Sequence, residues 1–252
     1  MIITNFKIIS DKINDKCRIV QLSDLHKRKF GKNNINLINK IKELKPDLIF
    51  FTGDIIDRTI TELTDFKHLI IEMFKIAPVY YSLGNHEKDL KKINPSMYNE
   101  IIKFLKTNTF LLDNSSEKII INNTTINITG ITIYQDCYKK NGRYKNLHVL
   151  ESKDVTNLLG EKKTGFNILL AHNPIFFNAY SEYGPDLILS GHVHGGCIRI
   201  PFIGGVLSPE RKFFPKYSSG IYHSKNSSMI VSRGLGKFRL FNPSEIILIE
   251  LS

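Results

Sequence analysis

Eight residues of this 252-residue chain pair metal-binding side chains with a shared position. Asp24, His26, Asp54, Asn85, His86, His172, His192 and His194 each fall where a short apolar run gives way to a polar turn. Imidazole and carboxylate together suit divalent transition ions, and the amide oxygen of Asn85 suits a hard divalent cation. Of the eight histidines in the chain, five lie at these tips, where chance would scatter them. One structural zinc needs about four protein ligands. Seven candidates plus a spare histidine fit a pair of ions roughly 3.5–4 Å apart that share a carboxylate. Taken alone each tip is weak, because a loop aspartate after a strand commonly caps a helix.

The elements that must carry these tips are legible from apolar spacing. Strands are expected at 2–9, 17–22, 48–51, 79–83, 119–122, 125–130, 166–170, 186–189 and 245–251. In an extended segment Asp24 and His26 would point the same way and approach one centre together. Amphipathic spacing predicts helices over 33–44, 61–76, 96–106 and 150–159. Ligands in open α/β sheets bind beyond the carboxyl ends of the strands, which is where the eight residues fall. Residues 197–252 are β-rich in composition, and the absence of a repeat or long linker makes 1–252 one expected domain.

Net charge is +11 with a sequence pI near 9.4, which suits an anionic partner. Three cysteines, Cys17, Cys137 and Cys197, without CxxC spacing argue against a disulfide framework and for a reducing compartment. No signal peptide and no apolar run near 18 residues is read. A cytoplasmic location follows as an expectation. The segment Arg211-Lys212-Phe213-Phe214-Pro215-Lys216 is a candidate basic-aromatic foot for peripheral contact with an anionic membrane.

The motif order Asp24-x-His26, Gly53-Asp54-x-x-Asp57, Gly84-Asn85-His86-Glu87, His172 and Gly191-His192-x-His194 resembles the calcineurin-like metallophosphoesterase superfamily. The tail, through His194-Gly195-Gly196, Ile198–Pro201 and Ser218-Ser219-Gly220, is similar to a bacterial phosphodiesterase subgroup related to UDP-2,3-diacylglucosamine pyrophosphatase-like proteins. Cys197 stands where many of that subgroup carry Gln. The resemblance implies an α/β fold, a four-layer sandwich of two mixed β-sheets flanked by helices. It also implies roles: Asp24, His26 and His194 on a first metal, Asn85, His172 and His192 on a second, and Asp54 bridging both. His86 would assist the leaving group, Asp57 would orient His86, and Arg58 would contact phosphate. Thr59 departs from the glycine that accompanies such an arginine in the protein-phosphatase branch.

The activity implied is metal-dependent hydrolysis of a phosphodiester or phosphomonoester, by in-line attack of a metal-bridging hydroxide. Mixed His, Asp and Asn donors without thiolate suit Mn²⁺, with Fe or Zn²⁺ as the other choices. The expected partner is a phosphorylated small molecule or a lipid-linked substrate. Three competing readings stand beside this one: a nucleotide-sugar or lipid pyrophosphatase at the membrane surface, a nuclease suited by the +11 charge, and a metal-binding scaffold without catalysis. Substrate choice is expected to rest on loops 88–97, 134–148 and 208–222.

Overall fold

The computed structural model describes residues 1–252 except 122, 141–142, 197, 201–203, 209–212 and 237–239. The first half of the chain supplies β1 (Ile2–Ile8), β2 (Cys17–Leu22), α1 (Ile35–Leu44), β3 (Leu48–Thr52), α2 (Thr64–Ile76) and β4 (Val79–Ser82). Next come α3 (Asn85–Ile93), α4 (Pro95–Asn108), β5 (Phe110–Leu112), β6 (Ser115–Ile121) and β7 (Thr124–Ile131). The second half contributes α5 (Ser152–Leu159), β8 (Phe166–Ala171), α6 (Phe177–Tyr183) and β9 (Leu187–Ser190). The tail adds β10 (Ile198–Ile200), β11 (Gly204–Leu207), β12 (Gly220–Ser224), β13 (Ser227–Val231) and β14 (Glu245–Leu251).

Two six-stranded mixed sheets form, ordered β1-β14-β2-β3-β4-β5 and β12-β13-β9-β8-β7-β6. Strand alternation explains why they stack. In β3, Leu48 and Phe50 join the cluster between the sheets, whereas Ile49 and Phe51 join the cluster under α1, α2 and α4. In β8 and β9, Ile168, Leu170, Leu187 and Leu189 face the intersheet cluster, and Leu169 and Ile188 face α5 and α6. A strand buried on both faces reads as a continuous apolar run, as Leu-Ile-Phe-Phe does here. The result is the expected helix–sheet–sheet–helix sandwich.

The expected β1 and β2 strands are present but do not pair with each other. β14 runs between them, parallel to β1 and antiparallel to β2, so the last strand of the chain completes the first sheet. The segment 88–97, expected to be a specificity loop, is instead helical through Ile93 in α3 and again from Pro95 in α4. Strand β6 begins at Ser115 rather than at 119. Of the expected membrane foot, Phe213 and Phe214 are 73% and 66% exposed, while Arg211 and Lys212 lie outside the described residues. Cys197 is likewise outside them. No helix among the described residues is long and apolar enough to cross a membrane.

Candidate metal centre

The parallel strands β2, β3 and β4 of one sheet, and β8 and β9 of the other, all deliver their carboxyl ends to one place. All seven expected metal ligands are on those ends. Asp24, His26 and His194 form one group whose ligand atoms lie within 4.8 Å of one another, and Asp54, His172 and His192 form a second. His26, Asp57 and His86 make a third group, which shares His26 with the first.

Asp24 and His26 do not converge by strand alternation as expected. Asp24 (φ 54°), His26 (φ 53°), Asp54 (φ 55°), His192 (φ 69°) and His194 (φ 55°) are all left-handed. Such conformations cost of order 1–3 kcal/mol each and persist only where the surroundings hold them. The left-handed turn aims each side chain off the end of its strand and into the centre. Backbone bonds brace the turns: Asp24 N–H donates to Gly53 O at 3.1 Å and His26 N–H to Asp54 O at 3.2 Å.

The two carboxylates are anchored by one face and open on the other. Asp54 Oδ1 accepts from His86 N–H at 2.7 Å, at the start of α3, so it caps a helix distant in sequence from its own. Its Oδ2 faces His172 Nε2 at 3.2 Å and His86 Nε2 at 3.9 Å. Asp24 accepts from His192 N–H and from the Ser23 hydroxyl, and Asp24 Oδ1 faces His194 Nε2 at 3.7 Å. Glycines make room for both. A Cβ at Gly84 would run into the Asp54 carboxylate, and one at Gly191 would run into Ser23 Oγ and the Asp24 carboxylate.

Three observations show that the site fits divalent ions. Asn85 Oδ1 is buried without a hydrogen-bond partner, although a buried amide oxygen normally finds one, and the buried His172 Nε2 faces only the Asp54 carboxylate, 3.2 Å away. His172 Nδ1 is 2.7 Å from Thr52 O, the bond that turns the other ring nitrogen inward. The Nε2 atoms of His26 and His194 stand 3.4 Å apart. Two nitrogens each about 2.1 Å from a tetrahedral ion would stand about 3.4 Å apart, so this pair has the span of two ligands on one cation.

The charges point the same way. Burial opposes ionisation of Asp54, yet His172, His86 and His26 around it hold its carboxyl well below the ordinary range. Burial also pulls the His172 imidazole down, and Asp54 and Asp24 overturn that, pushing it up to about 10. Desolvation dominates at His26, which falls to about 4. The centre is therefore a buried anion that calls for a cation, and a metal ion can stand where the His172 proton stands.

His86 occupies a distinct place. Its Nδ1 is 3.3 Å from Asp57 Oδ2 and 3.1 Å from Arg58 N. A protonated Nδ1 donates to Asp57, and an unprotonated one accepts from Arg58 N–H; the charge-assisted bond to Asp57 is the stronger of the two. Thr59 holds the other Asp57 oxygen through its N–H at 2.9 Å and its hydroxyl. Arg58 is ion-paired with Asp89, which also accepts from Gln135. Arg58, Asp89 and Gln135 line a cavity of about 120 Å³ together with Asp54, Asn85, His86, Tyr138, His192 and His194.

Sequence reasoning missed Glu87. Its buried carboxylate accepts from the N–H groups of Asp54, Ile55 and Gly84, each at 2.9 Å, and from Tyr81 Oη at 2.8 Å. This one side chain fixes the loop that presents Asp54. Burial and the nearby Asp54 charge raise its pKa, so the donors around it are what keep it in place. The signal available was the buried-strand tyrosine Tyr81 six residues upstream, which alone does not specify a partner. Tyr81→Phe removes a hydrogen bond to a buried carboxylate and is expected to cost about 1.5–3 kcal/mol, read by urea denaturation.

Residues 17–196 match the calcineurin-like phosphoesterase family. Across 246 residues the chain is 28% identical to an uncharacterized metallophosphoesterase of Campylobacter jejuni, a match covering 93% of this chain and 59% of that protein. It is 28% identical over 244 residues to metallophosphoesterase YkuE of Bacillus subtilis, covering 90% and 74%. It is also 24% identical over 275 residues to UDP-2,3-diacylglucosamine pyrophosphatase LpxG of Chlamydia trachomatis, covering 92% and 83%. Two solved structures share the fold. TT1561 of Thermus thermophilus has a TM-score of 0.51 at 12% identity, covering 87% of this chain and 90% of that one. A 5'-nucleotidase-like protein of Staphylococcus aureus has a TM-score of 0.53 at 14% identity, covering 87% and 49%.

Proposed function

The chain belongs to the calcineurin-like phosphoesterases, a family of phosphoric ester hydrolases, and from that premise we propose that it is a dinuclear metal-dependent phosphodiesterase. The observation that carries the reading is the orphaned buried Asn85 Oδ1 together with His172 Nε2 turned onto an inward-facing Asp54 Oδ2. Asp24, His26 and His194 would hold one ion, Asn85, His172 and His192 the other, and Asp54 both. Two such ions supply an acidified water at neutral pH and neutralise charge on phosphoryl oxygens. Mn²⁺ is the favoured metal for this donor set.

The chain's own residues do the rest. Asp54 Oδ1 is pinned by the His86 amide, so Oδ2 is held toward the centre without a reorganisation cost. His86 Nε2 faces the same cavity as Asp54, where it donates a proton to the departing oxygen. Asp57, held by Thr59, keeps the His86 ring in that orientation. Arg58, steadied by Asp89, meets a non-reacting phosphoryl oxygen at the rim. Asp57→Asn should keep the metals and slow turnover about 10–100-fold; elemental analysis alongside a rate assay reads both.

A second reading is favoured by one observation, the likeness to LpxG, a UDP-2,3-diacylglucosamine pyrophosphatase. The deciding experiment is a hydrolysis panel with Mn²⁺. It compares bis-p-nitrophenyl phosphate, p-nitrophenyl phosphate, nucleotides and nucleotide-sugar pyrophosphates. Turnover of the diester above the monoester supports the proposal, preference for the pyrophosphates moves it to the second reading, and hydrolysis of none overturns both.

A further inference from the structure

Strand alternation puts three polar side chains on the apolar face between the two sheets. In β2, β3 and β4 that face runs Cys17-Ile19-Gln21, Leu48-Phe50-Thr52 and Tyr80-Ser82, and every residue but the last of each run belongs to the intersheet cluster. Gln21, Thr52 and Ser82 are each 0% exposed. Gln21 Nε2 donates to Thr52 Oγ1 on the neighbouring strand at 3.0 Å and crosses to Ser190 O, at the end of β9, at 2.9 Å. Ser82 Oγ crosses to Leu170 O in β8 at 3.2 Å. The third crossing is the bond from the His172 ring, whose Nδ1 is 2.7 Å from Thr52 O. Leu170 stands two residues before His172 and Ser190 two before His192, so all three crossings land at the base of the second sheet's ligands.

Resting on the dinuclear reading above, we propose that this buried polar row is the gauge that fixes the separation of the two halves of the metal centre, with Gln21 as its principal positioning residue. Each ion site draws on both sheets, pairing Asp24 with His194 in one and Asp54 with His172 in the other. The spacing of the sheets therefore sets the spacing of the ligands. Apolar packing is non-directional and tolerates small slides between sheets. A hydrogen bond weakens steeply away from its preferred distance and angle, so the crossings hold what the packing does not. Gln21 adds little to stability. Its Oε1 is buried with no partner among the described residues, which costs free energy. Ser190 O also accepts from Ser232 N–H at 2.8 Å, so loss of the Gln21 amide leaves that carbonyl satisfied. An apolar side chain of the same length would serve the core as well, and what it would not do is align the sheets.

The test compares Gln21→Met, which keeps the length of the side chain and removes both bonds, with Ile19→Val, which removes one methylene from the same face of β2. Gln21→Met should weaken Mn²⁺ binding about tenfold. It should also alter the electron paramagnetic resonance signal of the exchange-coupled Mn²⁺ pair, while Tm stays within about 4 °C of the unaltered protein. Ile19→Val should lower Tm by about 2–4 °C and leave Mn²⁺ affinity and spectrum as they are. Should Gln21→Met fail to fold, Ser82→Ala removes another crossing and should shift the spectrum in the same direction. Unchanged affinity and spectrum in Gln21→Met overturn the gauge, as does an equal loss in Ile19→Val, which would make the effect one of general stability. An unaltered protein with no coupled-pair signal overturns the dinuclear reading instead. Amide hydrogen exchange in the metal-free protein then judges the gauge alone. Gln21→Met should speed exchange at Gly191, His192 and Val193 about fivefold, the worth of one net hydrogen bond, and Ile19→Val should not; equal exchange in the two variants overturns it.

Discussion

Asp54→Asn is expected to lower metal content from about two ions per chain to below one while the fold persists. The amide can still accept from His86 N–H through its one oxygen, replacing the 2.7 Å bond that Asp54 Oδ1 makes. Its NH₂ must then occupy the place of Oδ2, 3.2 Å from His172 Nε2, and present a donor where a cation is called for. If Asp54 holds both ions, as proposed, the loss should affect both together. Turnover should fall by more than the roughly 10²–10³ typical of deleting one electrostatic stabiliser. Elemental analysis, circular dichroism and a diester assay on the same preparation read the three effects. Full metal occupancy in the variant would remove Asp54 from its bridging role.

His86→Ala should behave in the opposite way, keeping its metals and losing about 10²–10⁴ in kcat. His86 lies outside the two groups assigned to the ions; its ring faces Asp57 at 3.3 Å, the Arg58 amide at 3.1 Å and Asp54 Oδ2 at 3.9 Å. If it donates a proton to the leaving oxygen, the deficit depends on that oxygen. A diester with an alkyl leaving group should show the full loss, and one releasing the acidic p-nitrophenol a smaller one. An equal deficit on both would assign His86 a structural role, and an unaltered rate would assign it none.

The strand tips were legible because their chemistry repeats. Each is an apolar run, a small residue and a His or Asp, and the structure brings together all seven expected ligands, His86, Asp57 and Arg58. The sheets were legible for the same reason, since Leu48–Phe51 is apolar at every position and Phe166–Leu170 at every position but Asn167, as strands buried on both faces must be.

What was not legible is physically distinct. Helix α3 has the sequence Asn-His-Glu-Lys-Asp-Leu-Lys-Lys-Ile, and its buried residues are Asn85, Glu87 and Leu90. Two of those three are polar, so no apolar stripe announces a helix, and the segment reads as a loop. The insertion of β14 between β1 and β2 joins residues over 200 apart in sequence, which no local pattern encodes. The left-handed turns at Asp24, His26, Asp54, His192 and His194 are set by tertiary bonds, such as Asp24 N–H to Gly53 O, and not by residue type. Glu87 was hidden because its partners are mostly backbone groups of a loop 31–33 residues away.

The most direct test of the account is the metal stoichiometry of the unaltered protein, measured by elemental analysis after Mn²⁺ loading and removal of free ion. Two groups of ligand atoms, the second of them containing Asp54, predict about two ions per chain. A value at or below one ion per chain would contradict the dinuclear centre.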